Sequence, residues 1–291
     1  MYELVQVSER CFYIHSPAKI GVVRTGEGTV CLIDSGNDKD AGRRIRQLLG
    51  REGWSLDAIY NTHSNADHIG GNKYLQSQTG CKIYAYGAEA AFTNYPILEG
   101  AYIYGGYPYS ELRNKFLMAQ ESRCEELNTD TLPDGMELIP LKGHFFDMVG
   151  FRVGGIVYLA DCLSSRETLD KYGIGFIYDV EAYLDTLEKV KNMKAELFIP
   201  SHADPTDNIS PLAQYNIDKV NEIADRIVQI CKEPKSFDTI LKELFDFYGL
   251  TLNHQQHALA GSTVRSYLSY LKEKNRVCVE FSDNMMLWKK I

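Results

Sequence analysis

A mixed α/β fold is predicted by three features of the 291-residue chain. The first third is dense in short β-branched and aromatic runs broken by Gly or polar residues. The middle returns to strand patterns, with an amphipathic helical pattern among them. From about Ser210 the pattern turns helical and ends in two short strands.

The elements follow in order. "YELVQV", "CFYIHS", "IGVVRT" and "TVCLIDS" read as strands. "DKDAGRRIRQLLGREG" reads as a helix stopped by glycine. "DAIYNT" is a strand that runs into "HSNADHIGG", and "GGNKYLQSQTG" is a short helix before the strand "CKIYAY". Residues 84–128 are rich in Tyr, Gly and Pro, and are expected to form a loop-rich insertion or lid. Strands resume at "GMELIPL", "MVGFRV" and "GIVYLAD". "DVEAYLDTLEKVKNM" is an amphipathic helix and "AELFIPS" a strand. Three helical stretches then precede "RVCVEF" and "MMLWKK", which the turn "SDN" joins into a hairpin. Helices closed by a terminal hairpin form a winged-helix-like pattern.

Composition narrows the function classes. Apolar residues make up 44% of the chain and charged residues 24%, as in a soluble globular protein. No apolar run approaches the ~20 residues of a membrane span. The N-terminus lacks the basic start and apolar core of a signal peptide. Seven scattered cysteines without a CxxC pair suggest reduced thiols and a cytoplasmic setting. A net charge of −8 speaks against general affinity for nucleic acid or anionic membranes.

The chemistry concentrates at strand ends. His63, Asn65, Asp67 and His68 follow "AIYNT", where alternate residues of an extended chain share one side. His144 follows "LIPLKG", Asp161 ends "IVYLA", and His202 follows "LFIPS". Loops past strand ends carry ligands on a rigid scaffold. Neutral imidazole and carboxylate oxygen suit zinc, at ~2.0–2.2 Å. His15, His254 and His257 are expected to be ordinary residues, the last two an exposed helix or loop pair.

The set THxNxDH (62–68), GH (143–144), LAD (159–161) and PSH (200–202), in this order, resembles the metallo-β-lactamase-fold superfamily over about residues 1–210. The resemblance implies an αββα sandwich with two metal sites at the strand edges. It implies a first site of His63, residue 65 and His144. The implied second site is Asp67, His68 and His202, with Asp161 bridging both. The usual pattern has histidine at position 65. An amide oxygen is a poorer zinc donor than imidazole, so the first site is expected to be the weaker. "GHFFDMVG" also lacks the small polar residue and early glycine that often follow this histidine in the family.

The resemblance further implies hydrolysis of a small-molecule substrate by a metal-bound hydroxide, with Asp67 both ligating metal and orienting the nucleophile. One or two Zn2+ ions are the expected cofactor, with Fe or Mn as alternatives. A small ester, thioester or related substrate is expected to reach the site between the 84–128 insertion and the C-terminal helices. Two readings compete: a phosphodiesterase or nuclease that uses the winged-helix-like tail, and a non-hydrolytic iron-dependent oxygenase or redox relative. Residues 233–291 carry eight Lys/Arg against seven Asp/Glu, a poor phosphate-binding balance. Packing or homodimer formation is therefore the expected role of the tail. The expected division is a catalytic domain over 1–210 and a helical, winged-helix-like region over 211–291. On "TVRSYLSYLKEK", Val264, Tyr267, Leu268 and Leu271 share one helical face and are expected to pack.

Overall fold

The structure is a computed structural model and describes residues 2–291. Its first sheet holds β1 (Glu3–Gln6), β2 (Cys11–His15), β3 (Ile20–Gly26), β4 (Thr29–Ile33), β5 (Ser55–Asn61), β6 (Lys82–Ala85) and β7 (Glu125–Glu126), side by side in chain order. Pairing is antiparallel from β1 to β4 and parallel from β4 to β7. The parallel steps require crossovers. These are α1 (Lys39–Arg51), then α2 (Ala66–Ile69) with α3 (Asn72–Thr79), then α4 (Ala88–Asn94) with α5 (Ile97–Tyr104).

The second sheet holds β8 (Met136–Pro140), β9 (Val149–Val153), β10 (Ile156–Ala160) and β11 (Leu197–Pro200), in the order β11-β10-β9-β8. α6 (Arg166–Tyr172) and α7 (Val180–Lys191) connect β10 to the parallel β11. α8 (Ser210–Ile230), β12 (Lys235–Ser236), α9 (Phe237–Tyr248), α10 (His254–Glu273), β13 (Val277–Ser282) and β14 (Met285–Lys290) complete the chain. β12, β14 and β13 form a small third sheet.

The strand patterns explain the layers. β4 and β10 are almost wholly apolar and buried, as strands covered on both faces must be. Cys31, Ile33, Ala58 and Tyr60 of the first sheet meet Val149, Phe151, Tyr158 and Ile199 of the second. The outer face of the first sheet packs on Ile45, Leu49 and Leu75 of α1 and α3. The outer face of the second packs on α7 to α10. This is the expected helix–sheet–sheet–helix sandwich.

Two features differ from expectation. The 84–128 stretch is loop-rich from Gly105 to Cys124, but its first half contains α4 and α5. Its Ala-rich start favours helix, and Gly105 in the left-handed region closes α5. The stretch from residue 65 onward is not extended. Asn65 stands immediately before α2, so Asp67 and His68 lie on a helical turn. Adjacent side chains on such a turn can face one site, whereas extended chain would send them to opposite sides.

Val264, Tyr267, Leu268 and Leu271 are completely buried, and pack in the same cluster as α7, α8 and α9. Burial of Val264, Leu268 and Leu271 contributes ~1.5–3 kcal/mol each. That face of α10 is therefore occupied within the chain. Among the described residues no helix is long and apolar enough to cross a membrane, and all seven cysteines are free.

Candidate metal centre

The seven expected positions converge where the C-terminal ends of β5, β8, β10 and β11 meet. Ligand atoms of Asp67, His68, Asp161 and His202 form one group within 4.8 Å of one another, and those of His63, His144 and Asp161 form a second. Asp161 belongs to both. Its Oδ1 lies 3.1 Å from His68 Nε2, and its Oδ2 lies 3.2 Å from His202 Nε2 and 3.8 Å from His144 Nε2. Asp67 Oδ2 is 3.2 Å from His202 Nε2. Asn65 Oδ1 is 3.1 Å from His144 Nε2, on the side of the first group. His15 is exposed, and so are His254 and His257 on α10. His254 Nδ1 instead meets the Tyr109 hydroxyl at 2.9 Å.

Local backbone delivers these side chains. Ala160 has φ 51°, a left-handed conformation unusual for alanine, at the point where the β10–β11 register shifts. That turn aims Asp161 inward. Gly143, with φ 116°, packs so tightly that a Cβ would collide with the backbone of Tyr183. Its carbonyl accepts from the amides of Tyr178 and Asp179, which fixes the loop carrying His144. Gly70 packs in the same way against the carbonyl of Asn37.

Three buried acids that the sequence did not single out support the site. Asp34 lies just past β4 with φ 66°. Its Oδ2 accepts from His68 Nδ1 at 2.8 Å and from Thr62 Oγ1 at 2.7 Å, and its Oδ1 accepts from the Thr62 amide. The Thr62 hydroxyl, having donated to Asp34, is left to accept from His63 Nδ1 at 3.0 Å. A neutral imidazole at either position then carries its proton on Nδ1 and turns a bare Nε2 to the site. Glu89 accepts from the Ser64 amide and hydroxyl and from the Asp147 amide. It ties the loop of His63 to that of His144. Burial pushes its carboxyl up to about 7, against the pull of those donors. Glu99 accepts from Asn65 Nδ2 at 2.6 Å. The available sequence signal was weak: an Asp at the end of an apolar strand, and two Glu in a stretch read as a loop-rich insertion or lid.

The electrostatics favour a cation. Burial disfavours charge on His202, but Asp161 and Asp67 outweigh it and push the imidazole up to about 10. His68 is likewise raised against burial by Asp161, Asp67 and Asp34. His63 is held well below its usual range by burial and by His68. His63 Nε2, His68 Nε2 and Asp161 Oδ1 are buried without a hydrogen-bond partner; the 3.1 Å approach of the last two is not aligned as one. Unpaired buried polar atoms are costly, and divalent metal ions at the two groups would satisfy all three. Imidazole and carboxylate donors fit such an ion. Asp67 is the open member, its side chain 44% exposed.

A cavity of about 620 Å3 borders the centre through His202. His15, Lys19, Arg166, Thr168 and Asp204 also line it. The cleft expected between the insertion and the C-terminal helices exists, at about 730 Å3 beside Tyr102, Tyr178 and Arg265. None of the seven metal-site positions lines that second cleft.

Residues 16–202, more than half of the chain, match the family model of the metallo-beta-lactamase superfamily. A beta-lactamase-like protein 2 homolog of Drosophila melanogaster is 23% identical over 206 residues, which cover 68% of this chain and 63% of that protein. A hydroxyacylglutathione hydrolase of Maricaulis maris is 52% identical over 74 residues, covering 25% of this chain and 24% of that protein. The chain thus spans less than two thirds of these relatives' length. The crystal structure of a beta-lactamase domain protein from Burkholderia ambifaria superposes with a TM-score of 0.76 at 16% identity, over 99% of this chain and 94% of that one.

Proposed function

The chain belongs to the metallo-beta-lactamase superfamily, and from that we propose that it is a metal-dependent hydrolase of a small ester or thioester. The observation that carries the reading is the pair of donor groups sharing Asp161, with three buried atoms that no protein group satisfies. His63, His144, Asp161 and the Asn65 amide oxygen would hold one ion. Asp67, His68, His202 and Asp161 would hold the other. Zinc suits this second set of two imidazoles and two carboxylates. Bound there, a divalent cation lowers the pKa of a coordinated water from ~15.7 toward ~7 and polarises the scissile carbonyl.

The chain's own groups do the rest. Asp67, partly open to solvent beside His202, orients the attacking water and accepts its proton on a carboxylate oxygen. Water adds to the acyl carbon, the C–O or C–S bond breaks, and the leaving oxygen or sulfur takes up a proton. The products are an acid and an alcohol or thiol. The match to a protein named hydroxyacylglutathione hydrolase favours the thioester over the ester. Seven unpaired thiols suit a cytoplasmic setting.

The C-terminal region reads as a winged-helix-like unit. Support comes from the succession α8, β12, α9, α10 and hairpin, with β14 between β12 and β13. Its main role in this reading is packing, because α8 to α10 share one core with the second sheet.

A panel of thioesters, lactones and phosphodiesters tests the function. Hydrolysis of a thioester or ester that chelator abolishes and added metal restores is the expected result. Exclusive phosphodiesterase activity, or thioester turnover indifferent to chelation, would contradict it.

A further inference from the structure

Asn65 stands where the family pattern has histidine, and the orientation of its amide is fixed by a residue of the insertion. Its Nδ2 donates to Glu99 Oε1 at 2.6 Å, and its Oδ1 lies 3.1 Å from His144 Nε2. Glu99 lies on α5 and is only 5% exposed. A carboxyl group so enclosed needs a hydrogen-bond partner. Asn65 is the hydrogen-bond partner of its side chain among the described residues. That contact runs from Asn65 Nδ2 to a Glu99 oxygen, so Asn65 presents its NH2 group to Glu99. The carbonyl oxygen is then turned the other way, toward the first group of donors.

We propose that Glu99 is a positioning residue for the first metal position, holding the Asn65 amide oxygen toward the ion that His63, His144 and Asp161 would bind. This rests on the metal-site reading above and deepens it. The logic parallels Asp34, which fixes His68 through the atom that faces away from the site. The insertion thereby takes part in metal binding and does more than wall the site. An oxygen donor replaces an imidazole there, so the position should discriminate less against harder ions such as Mn2+ than an all-imidazole set does.

Calorimetric titration of the metal-free protein with Zn2+ and with Mn2+ tests this, since it reads binding rather than turnover. The wild type should show two unequal affinities. Glu99→Ala should weaken the lower one ~10–100-fold and leave the higher one unchanged. Glu99→Gln keeps an acceptor oxygen and should recover most of the loss. Glu99→Leu fills the space without an acceptor and should behave like Glu99→Ala; it replaces that variant if thermal unfolding shows Glu99→Ala not to fold. A lower affinity that stays at the wild-type value in both Glu99→Ala and Glu99→Leu would overturn the role of Glu99. So would equal loss in Glu99→Gln. Either result leaves the metal assignment standing, because that is read separately from variants of His68 and His202.

Discussion

Asp34 accepts from the Thr62 amide, the Thr62 hydroxyl and His68 Nδ1. It therefore sets the tautomer of His68 directly and that of His63 through the Thr62 hydroxyl. Replacing it by asparagine offers His68 an amide that can present NH2 instead of oxygen. The imidazole proton could then move to Nε2, the atom that would bind metal. Asp34→Asn is expected to lower metal affinity by ~10–100-fold, measured by competition with a chromophoric chelator. Unchanged affinity would contradict this role. The candidate ligand positions stood out in the sequence because all but Asn65 are histidines or aspartates just past an apolar strand. Asp34 was not, because its importance lies in a contact across the fold with Thr62 and His68, and spacing along the chain does not encode that contact. Asn65 was legible as a departure, but its partner Glu99 was not.

Among the elements, the longer helices with apolar periodicity were legible: α1, α7 and α8 to α10 all lie where the pattern puts them, and the short α3 was legible from the glycines that bracket it. α4, α5 and α6 were not. They have seven or eight residues each, too few for periodicity to stand out, and the first two sit in a Tyr- and Gly-rich stretch. Tertiary contact holds them in place. Asp38 shows how a cap can serve both kinds of segment. Its carboxylate accepts from the Ala41 amide at 2.9 Å, capping α1, and from Lys115 Nζ at 2.9 Å, which tethers the insertion. Burial works against its ionisation, but the Ala41 amide and Lys115 prevail and hold the carboxyl below its usual range. The folded pKa is thus depressed. Its stabilisation is present above the unfolded value of about 3.8 and is lost as pH falls through the lower folded value. Asp38→Ala is expected to cost ~1 kcal/mol at neutral pH, by denaturant unfolding. The gap between variant and wild type should close in acid below that value. A gap independent of pH would argue that the charge of Asp38 contributes nothing.

Across the whole molecule, the two sheets each supply part of one site. β5 of the first sheet leads into His63, Asn65, Asp67 and His68. β8, β10 and β11 of the second lead into His144, Asp161 and His202. The sandwich was legible from strand composition and motif order, whereas the path of the substrate was not. The cavity that touches His202 is built by the β2–β3 connection, the start of α6 and the segment after β11, which are distant in sequence. The C-terminal helices add their apolar faces to the core outside the second sheet, so the scaffold behind His144, Asp161 and His202 depends on them. All of this converges on metal held by side chains from both sheets. Elemental analysis of the purified wild type beside the His68→Ala, His202→Ala double variant is the most direct test. Bound transition metal in the wild type, with most of it lost from a folded double variant, is the expected result; full metal retention in that variant would contradict the assignment.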